Sequence, residues 1–164
     1  MNLKLLNESD PQLKEVSTKW DFNVDGDPTE LIKAMTKIMF ENNGIGLAAP
    51  QVGIQKRLFI MGNDQKLFVC INPEIIVTEG EERDIEGCLS FPNLWMRVKR
   101  NKIVKVKYQS IDGEFVENVL EGLASRVFQH ELDHLDGICF DSRVGSTTLE
   151  LAKEKRRRKL KTFF

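Results

Sequence analysis

The sequence predicts an α+β fold in which antiparallel strands pack around a central helix that carries an HExxH motif. Short apolar runs separated by turn residues occupy the middle of the chain, from about residue 57 to residue 121. Segments with helical spacing flank this region on both sides. Helices packed against antiparallel strands define the α+β class. Because 164 residues suit one domain, we expect a single domain over residues 1–164, with a basic, helical C-terminal tail from about residue 147.

The first helix is predicted to begin at an Asp-Pro pair. Asp27 stands at the capping position, and Pro28 stands at the first helical position, where its missing N–H costs nothing. Apolar residues follow at helical spacing from Leu31 to Met39. The Asn-Gly pair at 43–44 is expected to end the helix.

Strands are predicted from about Arg57 onwards. The apolar runs RLFIM and KLFVCI are separated by turn residues at 62–64. The segment KIVKVKYQ alternates apolar and polar residues, and Asp112-Gly113 then turns the chain into EFVENVLE. This pattern indicates an antiparallel hairpin.

Two further helices are predicted after the strands. One begins near Gly122, runs through Leu135 and ends at Gly137. The other begins at about Thr147 and contains the basic stretch KEKRRRKLK at 153–161. A solvated helix end is the interpretation we favour for such a stretch.

The composition is that of an ordinary globular protein, with 41% hydrophobic and 30% charged residues. A formal net charge of −1 gives no general attraction to nucleic acid or to membranes. The first residues, MNLKLLNESD, lack the apolar core of a signal peptide, and an odd number of cysteines does not indicate a disulfide framework. We therefore expect a cytoplasmic protein that does not enter the membrane. A monomer is the default expectation, because the sequence says little about assembly.

Both histidines of the chain lie in the segment QHELDH. His130 and His134 are four residues apart, so on a helix their rings project from one face and can bind one divalent ion. Glu131 lies beside that face as a candidate acid/base. The alternative is a surface helix with scattered histidines and acids, but the motif uses every histidine in the chain.

A catalytic metal site takes a third protein ligand, which here must be a cysteine or a carboxylate. Cys70 and Cys139 lie in apolar segments and are expected to be core residues. Cys88 lies in EGCLS, a segment without clear periodicity that we expect to be a loop. Cys88 is the better candidate, but spacing alone leaves the identity of the third ligand open.

The segment GIGLAAPQVG at 44–53 is rich in small residues, which indicates a close approach of backbone to another group. It lacks the Lys-Ser/Thr ending of a phosphate-binding loop. Gln51 is its polar side chain. The alternative is a tight turn packed on the core, with Gln51 hydrogen-bonded to backbone.

Taken together, GIGLAAPQ, EGCLS and QHELDH resemble the three motifs of the peptide deformylase family, in the family's order and over about residues 3–144. That family removes the N-formyl group from newly made polypeptides. The resemblance implies that Cys88, His130 and His134 bind one divalent metal ion, with water as the fourth ligand. It implies Fe²⁺ as the native ion, and Zn²⁺, Ni²⁺ or Co²⁺ suit the same ligands.

The resemblance also implies roles for four further residues. Water attacks the formyl carbon, and the Leu89 backbone N–H and the Gln51 amide stabilise the resulting oxyanion. Glu131 takes a proton from that water and delivers it to the departing amine. The Gly46 backbone aligns the substrate, which is an N-formylmethionyl nascent peptide. In some family members a C-terminal helix docks at the ribosome, so the resemblance leaves open that KEKRRRKLK contacts ribosomal RNA through its phosphates.

Three charged residues are expected to support the ligands. Glu86 and Asp133 are candidates to accept the outer ring N–H of the histidines, with Arg100 as the partner of Glu86 by resemblance. The alternative for either acid is an ordinary solvated charge. Arg126 lies on the ligand face of the helix. It could contact the peptide or alter the pocket wall, but we favour a packed aliphatic stem with its head in water.

Two other functions remain open at this point. A zinc metallopeptidase shares the HExxH signature, although no third histidine follows it. A binding module with a closed structural metal site would need a fourth ligand, such as Cys139, and would leave Glu131 without a role.

Overall fold

A computed structural model describes residues 1–162, so the last two residues of the predicted domain lie outside the described residues. One antiparallel sheet follows the order of the chain. Its strands are β1 (Gly46–Ala48), β2 (Leu58–Gly62), β3 (Leu67–Cys88), β4 (Phe91–Gln109) and β5 (Phe115–Glu121). The α-helices are α1 (Thr29–Glu41), α2 (Gly122–Leu135) and α3 (Ser146–Thr162). The predicted α+β class is confirmed.

Helix α1 begins one residue later than the sequence predicts. Pro28, and not Asp27, occupies the capping position. The Asp27 side chain still serves the helix end, because its Oδ1 accepts the backbone N–H of Thr29 at 2.9 Å. The helix buries Met35 and Met39 completely. The apolar face predicted from the helical spacing is therefore the face that packs on the core.

The largest departure from prediction is the long strand β3. The segment before Cys88 is not a loop, because β3 runs for 22 residues and pairs with β4 from Ile71 to Cys88. Residues 76–85 are all exposed, so neither face of this part of the strand requires apolar residues. Leu89 and Ser90 form the turn that joins β3 to β4. Cys88 is therefore held at a strand end, paired with Phe91.

Helix α2 has the predicted bounds and packs on the sheet. Its first residue, Gly122, has a φ of 58°, a conformation that favours glycine. Phe128 is fully buried and meets Phe59 of β2 edge to face, with ring centroids 5.0 Å apart. Val127 and Leu135 join the same apolar cluster. This packing fixes the rotation of the helix and therefore the direction in which its histidines point.

Helix α3 packs near the start of β4. Leu149 and Ala152 contact the apolar cluster that contains Phe91. The Arg156 Nη1 donates to the Glu8 carboxylate at 2.7 Å and fastens the helix to the N-terminal segment. Across residues 1–162, none of the helices combines the length and apolar character needed to span a bilayer.

Candidate active site

Three potential metal ligands meet where the end of β3 faces α2. The ligand atoms of Cys88, His130 and His134 lie within 4.8 Å of one another. The Cys88 Sγ is 3.3 Å from His134 Nε2, and the two imidazole centroids are 5.1 Å apart. The helical spacing of the histidines and the strand-end position of the cysteine together produce this convergence.

A buried carboxylate orients the first histidine. His130 Nδ1 donates to Glu86 Oε1 at 2.9 Å, and this bond leaves Nε2 as the ring nitrogen that can bind a metal ion. Arg100 donates to both oxygens of the same carboxylate, at 2.9 and 3.0 Å. Burial alone would raise the pKa of Glu86, but the bonds from His130 and Arg100 outweigh it and lower that pKa to about 2. Glu86 is therefore a permanent anion behind His130.

The predicted role of Asp133 as a histidine acceptor is wrong. Its oxygens accept from Arg100 Nη1 and Arg143 Nη2, each at 2.6 Å, because the side chain faces these arginines instead of the imidazole rings. His134 Nδ1 is buried and has no hydrogen-bond partner among the described residues. Asp133 thus stabilises the arginine that holds Glu86.

The favoured interpretation of Arg126, with its head in water, is also wrong. The side chain is 8% exposed. Its Nη1 donates to Glu86 Oε2 and to the Val98 carbonyl, each at 2.7 Å, and its Nη2 donates to the Glu82 carbonyl at 2.9 Å. A buried guanidinium needs such partners. They come from β3 and from the part of β4 that precedes the predicted KIVKVKYQ segment.

The Glu131 carboxylate is buried beside the three potential ligands. Its Oε2 has no hydrogen-bond partner within the described part of the chain. Burial raises the pKa of Glu131 to about 7, against the lowering effect of the His130 charge. A cavity of about 620 Å³ is lined by Glu131 and His130, together with Gly46, Gln51 and Leu89. The carboxylate can therefore exchange a proton with a molecule in this cavity.

Gln51 is held by backbone and also faces the site. It lies in a short 3-10 turn, Ala49–Val52. Its Oε1 accepts the Ala48 backbone N–H at 2.9 Å, which turns the amide NH₂ towards Ser90 Oγ at 3.2 Å and Cys88 Sγ at 3.5 Å. Ser90 is fully buried. The sequence did not identify it as a residue of the site. Its only signal was a small hydroxyl residue two positions after the candidate ligand.

The charges at the site suit a bound cation. Burial acts to lower the pKa of His130, but bonds to Cys88 and Glu86 raise it to about 10. Burial and the His130 charge lower the pKa of His134 well below its usual value. A sulfur and two imidazoles that converge within 4.8 Å form a donor set that fits a divalent metal ion.

The model of the polypeptide deformylase family matches residues 2–150. The chain belongs to this family. A peptide deformylase of Thermotoga petrophila is 43% identical over 150 residues, which cover 89% of each chain. The Synechococcus elongatus peptide deformylase, solved in complex with actinonin, superposes with a TM-score of 0.88 at 38% identity, over 94% of this chain and 85% of that one. A class I type b peptide deformylase from Acinetobacter baumannii, solved with Met-Ala-Ser bound, has a TM-score of 0.82 at 36% identity, over 88% of this chain and 99% of that one.

The predicted activity is confirmed by this membership. A polypeptide deformylase is a hydrolase that removes the N-formyl group from nascent polypeptides, and the family uses a divalent metal ion. The structural-module alternative is not supported, because the described residues bring together three ligands and leave Cys139 outside the group.

Gly46 has no room for a side chain. A Cβ at this position would overlap Glu131 Oε1 and would lie 2.9 Å from Val127 Cγ1. We expect Gly46→Ala to displace the Glu131 carboxylate and to lower kcat by about 10–100-fold, because misplacement by about 1 Å can cost 10²-fold in rate. Formate release measures this loss. Gly145→Ala is the matched control, since nothing lies within 4 Å of its added Cβ. Equal activity of the two variants would contradict the prediction.

Proposed function

We propose that Cys88, His130 and His134 hold the metal ion of this deformylase, with Fe²⁺ as the ion in the cell. The observation that carries the proposal is the convergence of the three ligand atoms within 4.8 Å. The bond from His130 to Glu86 supports it, because ligating histidines donate their other ring N–H to such acceptors. When bound, the ion would act as a Lewis acid and would lower the pKa of its water from 15.7 to about 7.

Glu131 is the proton carrier of the proposed reaction. It accepts a proton as water attacks the formyl carbon, and it delivers that proton to the amine as the C–N bond breaks. Its burial, its position in the cavity and its unpartnered Oε2 support this role. The products are formate and a free N-terminal amine.

Gln51 and Leu89 are the proposed donors to the oxyanion that forms on the formyl oxygen. The Gln51 NH₂ faces the cysteine ligand because Ala48 fixes the other end of the amide. Leu89 directly follows Cys88 and lies in the tight turn before β4. Donors held in advance need no reorganisation as charge develops, and loss of one typically costs about 10²–10³ in rate.

Gly46 is proposed to align the substrate through its backbone. It begins β1, which is an edge strand of the sheet and, within residues 1–162, pairs with β2 alone. An extended peptide can add to such an edge through main-chain hydrogen bonds. The N-terminal residues of the nascent chain would thereby lie along the cavity that contains Glu131.

The metal assignment is tested by purification with and without oxygen. Protein kept free of oxygen should contain about one iron per chain and should lose both iron and activity in air. Reloading with Ni²⁺ or Co²⁺ should restore formate release, because sulfur and imidazole ligands accept these ions. Full activity with zinc alone, and no iron under any condition, would contradict the assignment of Fe²⁺.

Helix α3 is proposed to contact ribosomal RNA through its basic residues. Lys155, Lys159 and Lys161 are exposed, whereas Glu154 pairs with Arg157. Reversal of charge in Lys155→Glu/Lys159→Glu should weaken ribosome binding and reduce its salt dependence. Formate release from a free peptide should stay normal, because neither lysine lines the active-site cavity. Unchanged, salt-sensitive binding would refute the contact.

A monomeric state and a cytoplasmic location stay predictions from the sequence.

A further inference from the structure

We propose, on the basis of the ligand set proposed above, that Arg126 is a positioning residue for metal binding. It acts through Glu86, which holds His130. The residue lies on α2, one turn before His130, and its side chain is 8% exposed. The catalytic steps given above do not use it.

The hydrogen bonds to Glu86 show how Arg126 acts. Oε1 accepts from His130 Nδ1 at 2.9 Å and from Arg100 Nη2 at 3.0 Å. Oε2 accepts from Arg100 Nε at 2.9 Å and from Arg126 Nη1 at 2.7 Å. Arg100 reaches the carboxylate from β4, whereas Arg126 reaches it from α2. Two guanidinium groups on different elements fix the carboxylate more fully than either would alone, so they fix the acceptor for His130.

Arg126 is itself held in place by backbone. Its Nη1 donates to the Val98 carbonyl of β4 at 2.7 Å, and its Nη2 donates to the Glu82 carbonyl of β3 at 2.9 Å. One side chain therefore joins the helix that carries His130 to the strand that ends at Cys88. Such a connection sets the separation between a ligand on the helix and a ligand on the strand.

Removal of Arg126 should change metal affinity in opposite directions, according to whether Arg126 positions His130 or only repels the metal ion. Glu86 already has Arg100 as a two-point partner, so Arg126 adds a further positive charge close to a site for a cation. Coulomb repulsion alone predicts that removal of Arg126 strengthens metal binding. Positioning of His130 predicts the opposite, because loss of a partner behind a ligand typically costs about 10–100-fold in affinity.

The test uses the full chain loaded with Zn²⁺ and measures zinc transfer to a competing chelator. We expect Arg126→Met to weaken zinc affinity by about tenfold, at the lower end of that range. The zinc affinity of Arg126→Lys should fall between those of wild type and Arg126→Met, since a lysine can keep the bond to Glu86 but not also the bonds to both backbone carbonyls. If the methionine variant does not fold, the lysine variant carries the same comparison. Affinity equal to or above that of wild type in the folded variant would overturn the proposal.

A double-mutant cycle tests whether Arg126 acts through Glu86. In a Glu86→Gln background, Arg126→Met should cause little further loss of zinc affinity, because coupled residues are not additive. Independent, additive losses would overturn the proposed route. Arg57→Met is the control for general destabilisation, since Arg57 also bonds a carboxylate and a carbonyl, those of Asp136 and Leu135. It should lower the melting temperature without lowering zinc affinity.

Failure of the ligand set can be told apart from failure of this inference. Cys88→Ser with wild-type zinc affinity would refute the ligand set on which the inference rests. Weakened binding in Cys88→Ser, together with normal binding in Arg126→Met, would refute the positioning role alone.

Discussion

Replacement of Glu131 by glutamine is expected to lower kcat for formate release by about 10²–10⁴-fold, the usual contribution of a positioned acid/base. Glutamine has nearly the same shape but cannot take a proton from water and return it to the amine. The native carboxylate is buried and keeps one oxygen without a partner among the described residues. Because Glu131 is not one of the three converging ligands, the metal content should stay at that of wild type.

Metal content and turnover must be measured on the same preparation of Glu131→Gln. Glu121→Gln is the matched control, since Glu121 is exposed at the end of β5 and lies outside the cavity. It should retain full activity. Normal turnover in the Glu131 variant would refute its role as proton carrier. Loss of metal in that variant would show instead that Glu131 is a ligand.

Replacement of Cys88 by serine is expected to weaken metal affinity by more than about 100-fold, the upper end of the range for residues that only support a ligand. Thiolate is a soft ligand that favours ions such as Zn²⁺, whereas a serine hydroxyl is hard and stays protonated near neutrality. Dialysis against a chelator, followed by metal analysis, measures the loss. Activity should fall with metal content and should recover in part at high Zn²⁺ concentration.

Cys139→Ser is the control for the cysteine variant. Cys139 is buried in an apolar cluster that includes Phe91 and Phe140, and burial raises the pKa of its thiol to about 12. It should keep its metal at some cost in stability. The reverse result, with metal lost from Cys139→Ser and kept by Cys88→Ser, would refute the ligand set and restore the structural-site alternative.

The helix of the site was predictable because its information is local. Helical spacing, a glycine at each end and two histidines four residues apart define α2 and its ligand face. The long strand β3 was not predictable in the same way, because residues 76–85 are exposed and show no alternation. The neighbouring strand, β4, does show the alternation that indicates a strand. In β4, Leu94, Met96 and Val98 are buried at every second position, which is the pattern of a half-buried strand.

The partners of the charged residues could not be predicted from local patterns. Arg126 donates to carbonyls of two strands, and Asp133 is held by arginines rather than by a histidine. These contacts depend on where separate elements meet, and one of the elements had not been recognised. By contrast, the pairing of Glu86 with Arg100 followed from the family resemblance and is present in the structure.

The most direct test of the account is release of formate from a formyl-methionyl peptide by protein purified without oxygen. A second peptide of the same sequence without the formyl group is incubated beside it. We predict one formate and one free amine per formylated peptide, and no cleavage of internal bonds in either peptide. Internal cleavage, or no formate with Fe²⁺, Zn²⁺, Ni²⁺ or Co²⁺, would contradict the assignment of this site to deformylation.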